Sequence, residues 1–83
     1  MIKILQCRPQ ADLMLELEFS GGEVGHFDGL AYLASRSGAL LEPLREKLYF
    51  QRAFVDAGAL CWPNGLELSG ARMRELCHQL EPH

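Results

Sequence analysis

The stretch Leu13-Met14-Leu15-Glu16-Leu17-Glu18-Phe19-Ser20-Gly21-Gly22-Glu23-Val24 decides the fold class of this chain. From Leu13 to Phe19 every second residue is large and apolar, with Met14, Glu16 and Glu18 between them. A period of two sends alternate side chains to opposite faces of an extended chain. The segment therefore predicts a strand with one face on a core and a mostly acidic face towards water, as in an antiparallel sheet. Ser20-Gly21-Gly22-Glu23 is a turn signal, because paired glycines accept positive φ. With Gly21-Gly22 as a two-residue loop, Phe19 faces Val24 and both point inwards. Phe27 then falls on the opposite face, unless a bulge near Gly25 returns it to the core.

Working outward, Ile2 to Cys7 is rich in aliphatic residues and predicts a strand, ended at Arg8-Pro9-Gln10 because proline removes a ladder donor. A third strand is expected from about Glu23 to Asp28. Asp28 can cap a short helix with Leu30, Tyr32 and Leu33 on its apolar face. Pro43 disfavours helix at Glu42, so 39–44 is expected to be irregular or a single helical turn. A second short helix over 45–51 would turn Leu48 and Tyr49 or Phe50 inwards. Ala53 and Val55 then alternate with Phe54 and Asp56, and Ala59-Leu60-Cys61-Trp62 predicts a strand closed by the Pro63-Asn64-Gly65 turn. Leu66 to Leu68 is extended. Ser69 caps a final helix in which Met73, Leu76, Cys77 and Leu80 recur at i, i+3, i+4 and i+7, with Arg72, Arg74, Glu75, His78 and Gln79 on the wet face and Pro82 as the stop. A half-buried sheet needs a cover and an amphipathic helix needs a partner. A two-layer α+β domain meets both needs, in the order β-β-β-α-β-β-α, with a mainly antiparallel sheet covered by the C-terminal helix.

At 83 residues the chain fits one domain, expected to span 1–83. Leu, Ile, Val and Phe make up 23 of the residues, more than a quarter, which excludes disorder as the default. A domain of this size leaves little room for a deep cleft. The net charge of −3 argues against nucleic acid, whose binding needs Lys and Arg to displace counterions. The two halves of the chain do not differ in charge as a nucleic-acid tail would require. No apolar run reaches the length of a membrane span, and the N-terminus lacks the pattern of a signal peptide, so a cytoplasmic protein is expected. Cys7, Cys61 and Cys77 are far apart and odd in number, unlike a disulfide framework or a zinc ribbon, and are expected to be reduced and packed.

Several residues together resemble the small bacterial family known as domain of unknown function 2442. They are the 15–24 hairpin, Phe27-Asp28, Leu33, Glu42-Pro43-Leu44, Phe50, Val55-Asp56, and Trp62-Pro63-Asn64-Gly65 with Leu68. The resemblance runs from about Ile4 to Leu76 and rests on order and spacing. It implies a two-layer α+β fold of three strands, a helical segment, two strands and a helix. It also implies domains that stand alone or precede a helix-turn-helix, encoded beside another small protein in a regulatory or toxin–antitoxin-like pairing. It identifies no activity. With the chain ending at His83, no helix-turn-helix is expected, and function is expected on the surface of the domain itself.

Two groups of residues are candidates for that function. Trp62, Pro63, Asn64 and Gly65 form a candidate interaction surface: Trp62 either seals the core or acts as an amphipathic anchor of the type enriched in binding hot spots. Arg45, Lys47, Arg52, Arg72 and Arg74 form a candidate anion or nucleic-acid patch. Glu16 and Glu18 share a strand face but lack the second wall that a carboxylate pair needs for glycoside hydrolysis. Gly21-Gly22 is not followed by a phosphate-loop Lys. His78 and Cys77 diverge by about 100° as helix neighbours, so they do not make a metal site. Neither a catalytic group, such as Cys61 with His26, nor a cofactor is expected. The reading is a non-catalytic protein-interaction module binding another small protein or a second copy of itself, through an exposed sheet edge or the helical middle. The alternative is a transcription-associated nucleic-acid-binding protein.

Overall fold

The hairpin is built from β2 (Met14–Phe19) and β3 (Val24–Asp28), paired antiparallel with Glu18 opposite Val24 and Leu15 opposite Phe27. The computed structural model describes the backbone of residues 1–80 and the side chains of residues 1–77. The turn differs from the two-residue loop expected. Phe19 N–H donates to the Glu23 carbonyl and Gly22 N–H to the Phe19 carbonyl, so the loop is Ser20-Gly21-Gly22, with Gly22 at φ +92°. One extra residue in the loop shifts the strand's register by one, which exchanges its two faces. Phe27 is therefore fully buried, while Val24 is 52% exposed. Gly25 shares the inward face, where a Cβ would lie 3.1 Å from that of Cys77.

β1 (Ile4–Pro9) pairs antiparallel with β2 along the other edge, with a bulge between Ile4 and Gln6 that leaves Leu5 exposed. The strand runs two residues further than expected, through Pro9. Proline is tolerated there because it ends an edge strand. At the far end of β3 the Asp28 carboxylate accepts from Ala31 N–H at 3.1 Å and caps α1 (Gly29–Ala34). Gly29 N–H donates to the Leu13 carbonyl, and a Cβ at Gly29 would sit 2.5 Å from the Phe50 ring. Tyr32 and Leu33 are buried, but Leu30 is exposed, contrary to the expected face. A single 3-10 turn (Glu42–Arg45), with Pro43 as its second residue, buries Leu44. α2 (Lys47–Phe50) then buries Phe50 and leaves Leu48 at 79% exposure, so Leu48 is not the inward residue.

The predicted α+β fold holds, with the strands in two small antiparallel sheets rather than one. β4 (Phe54–Asp56), β5 (Ala59–Cys61) and β6 (Glu67–Leu68) make the second sheet in that order. The two sheets meet at β1: Ile4 N–H donates to the Gly58 carbonyl at 2.9 Å, and the Cys7 thiol approaches the Ala53 carbonyl at 3.6 Å. A row of rings also spans the junction. Tyr32, Phe27, Phe50 and Trp62 follow one another at centroid distances of 5.3, 6.2 and 5.8 Å. Such distances suit aromatic packing. α3 (Gly70–Leu80) covers β3, with its first turn capped by the Ser69 hydroxyl accepting from Arg72 N–H and with Met73, Leu76 and Cys77 in the shared core. The side chains of His78, Gln79 and Leu80, in the expected wet face and stripe, and the expected stop at Pro82 lie outside what is described.

Candidate functional site

The Trp62-Pro63-Asn64-Gly65 turn closes the β5–β6 hairpin. Gly65 N–H donates to the Trp62 carbonyl at 3.1 Å and Trp62 N–H to the Leu66 carbonyl at 3.0 Å. The Asn64 carboxamide oxygen accepts from Leu66 N–H, its nitrogen donates to the Leu40 carbonyl, and Gly65 adopts φ +95°. Asn64 and Gly65 are thus used in building the turn. Trp62 is 1% exposed and its indole N–H donates to the Phe50 carbonyl at 3.0 Å. The structure therefore replaces the surface-anchor reading of Trp62. The ring seals the core, and its one polar group is satisfied inside it. Of the four residues, Pro63 and Gly65 are the exposed ones.

Next to this turn lies an open concavity of about 250 Å³ on the outer face of the second sheet. Phe54, Asp56, Cys61, Pro63, Leu66 and Glu67 line it. Phe54 stands opposite Cys61, and Cys61 opposite Glu67, so one row of side chains crosses all three strands. Phe54 is 44% exposed, although large and aromatic. The Cys61 thiol is pushed up from its ordinary value by burial first, then by the negative charges of Glu67 and Asp56. It stays a neutral thiol at physiological pH, the opposite of an activated nucleophile. Sequence reasoning named Pro63 and Gly65 but missed Phe54, Asp56 and Glu67. The available signal was the alternation at 53–56, which turns Phe54 and Asp56 outward when Ala53 and Val55 face in.

The five candidate basic residues are placed on two elements and the turns beside them. Arg45 Nε lies 3.4 Å from Glu42, and its Nη2 donates to the Arg36 carbonyl at 2.9 Å. Lys47 is exposed at the start of α2, and the Arg52 guanidinium lies 5.7 Å from the Tyr49 ring centre. On α3, Arg72 is exposed, whereas Arg74 Nε lies 2.8 Å from Glu23 across the sheet. Two of the five cations, the Arg45 and Arg74 guanidiniums, therefore stand against carboxylates of the chain itself.

The outer face of the first sheet is a second charged surface. Arg8 reaches Glu16 and Glu18 at 3.0 Å each, and His26 Nε2 lies 3.5 Å from Glu16. Glu16 and Glu18 are thus bridged by one cation, and the hydrogen bond that Arg8 donates to Glu18, with the charges of both carboxylates, raises the Arg8 pKa. Among the described residues no three His, Cys, Asp or Glu side chains converge as a metal site. No described helix is long and apolar enough to cross a membrane.

The fold is similar to that in the crystal structure of a protein from Nitrosomonas europaea ATCC 19718 described as "Putative DNA Binding Protein", with a TM-score of 0.66 and 20% identity. The match covers 94% of this chain and 47% of that one, so this chain spans about half of its neighbour's length. At that identity the likeness concerns the fold. No curated protein matches the sequence. The family model described as "Protein of unknown function (DUF2442)" matches residues 4–79, from the first strand into the final helix, and the chain belongs to that family.

Proposed function

We propose that this domain is a non-catalytic protein-interaction module whose contact face is the outer side of the second sheet. One observation carries the reading: Phe54, an aromatic residue at 44% exposure, stands beside Pro63 at the rim of a concavity whose only thiol is held neutral. Exposed aromatic side chains next to a pocket are the residues that anchor protein interfaces. A regulatory or toxin–antitoxin-like pairing with another small protein, or pairing with a second copy, would use the same face. The test is affinity purification of the tagged chain from cells of its own source, beside Phe54→Asp and a Glu16→Gln control on the first sheet. A stoichiometric partner should be retained by the wild type and the control and lost with Phe54→Asp. A chain that purifies alone and scatters light as a monomer would sink the reading.

A second reading, a transcription-associated nucleic-acid-binding role, draws on the description of the Nitrosomonas neighbour. It also draws on Arg36, Arg45, Lys47 and Arg52, which fall in one stretch of chain with Arg36 and Arg45 hydrogen-bonded. The net charge of −3 and the carboxylate beside Arg45 weigh against it. It requires DNA binding that weakens steeply with salt. No mobility shift at low ionic strength would dispose of it.

A further inference from the structure

The concavity beside Phe54 has a chemistry that selects its occupant. Its apolar part comes from Phe54, Pro63 and Leu66, and its charged part from Asp56 on β4 and Glu67 on β6. Both carboxylates are exposed, and both lie near enough to the Cys61 thiol for their charge to raise its pKa. Four other carboxylates stand against cations of the chain: Glu16 and Glu18 meet Arg8, Glu23 meets Arg74 and Glu42 meets Arg45. Among the described residues no cation comes within ion-pairing distance of Asp56 or Glu67, although Lys3 borders a neighbouring hollow that Glu67 also lines. With the buried Cys61 between them, the two carboxylates add negative charge to a concavity that Phe54, Pro63 and Leu66 supply with apolar groups. An apolar side chain alone would leave that charge unmatched, and an acidic segment would be repelled by it. A metal ion would find two carboxylates and a thiol held in its protonated state, not a set of three ligands.

We infer that the outer face of the second sheet takes a segment of a partner protein in which an apolar side chain stands next to a Lys or Arg. The apolar side chain seats on Phe54, Pro63 and Leu66, and the cation lies between Asp56 and Glu67. This rests on the interaction-module reading and adds the partner's chemistry to it. The test is selection of a phage-displayed random dodecapeptide library on the immobilised full chain. Selected peptides are then synthesised, titrated against wild type, Asp56→Asn, Glu67→Gln and the double variant, and mapped by amide shifts. Both positions are exposed, so the variants should melt as the wild type does. Enriched peptides should share an apolar residue beside Lys or Arg. Each neutralised carboxylate should weaken binding about fivefold, with added salt doing the same. Enriched peptides without basic residues, or a double variant binding within about twofold of wild type, would overturn the inference while shifts at Phe54 left the module reading standing. Shifts confined to another face, or no enrichment at all, would overturn both.

Discussion

Trp62 shows how one residue can change its role between the sequence and the fold. As a letter it suits either a core or an interface, because its ring is apolar and its edge carries a donor. In the molecule the donor meets the Phe50 carbonyl at 3.0 Å, and the ring packs on Phe50 at a centroid distance of 5.8 Å. The residue thus ties the second sheet to α2 by a bond and a contact at once. Trp62→Phe removes the donor, leaves that carbonyl short of a partner and opens a space where the larger ring stood. Urea unfolding should show a loss of about 2–4 kcal/mol. A loss under about 0.5 kcal/mol, the range of an unremarkable surface substitution, would contradict this account of its role. Phe54 is the counterpart, an aromatic residue that the same sheet leaves in the open.

At the scale of elements, the β2–β3 hairpin turns on its loop. Gly22 at φ +92° is the residue that permits three loop positions, and nothing lies within 4 Å of where its Cβ would be. The cost of replacing it is therefore conformational rather than steric. Gly22→Ala should destabilise by about 1–2 kcal/mol, the strain of a side chain in the left-handed region. Gly21 is not at positive φ, and its Cβ would meet only Glu23 Oε1 at 3.6 Å. Gly21→Ala should change stability by less than about 0.5 kcal/mol. Equal effects at the two positions, measured by thermal melts, would show that the loop is not built as described. α3 makes a related point. Its packed turns are set by Met73, Leu76 and Cys77, while Gly25 provides the smooth place on β3 where Cys77 crosses.

At the scale of the molecule, two three-stranded sheets share one core. Neither would be stable on its own, since so small a sheet needs a packed face. That core also protects thiols. Burial raises the Cys7 and Cys61 pKa values above their ordinary 9.0, with Glu67 and Asp56 adding to the effect at Cys61. The unfolded chain ionises these thiols at the ordinary value, so above it the unfolded state binds fewer protons than the folded one. The stabilisation is complete below about pH 9 and declines as pH rises through the raised native values. Urea midpoints should therefore fall between about pH 8 and pH 10.5, and less steeply in a Cys7→Ala, Cys61→Ala double variant. Parallel slopes would show that other groups control the alkaline limb.

Much of the local structure was legible in the sequence. The alternation at 13–19, the Asp28 cap, the turn after Trp62 and the burial of Met73, Leu76 and Cys77 on the last helix all stand where the residues put them. Each depends on interactions within a few residues, such as side-chain period, capping and φ preference. The number of residues in the hairpin loop was not legible, and with it went the exchange of Val24 for Phe27. Nor could the exposure of Leu30 and Leu48 be read, because a short helix offers more apolar residues than its neighbours can cover. The division into two sheets, and the concavity with its unmatched carboxylates, were equally hidden. They arise where β4, β5 and β6 come side by side. Sequence alone determined which faces could be apolar. Tertiary packing decided which of them found a partner, because burial depends on what distant segments bring to the same place.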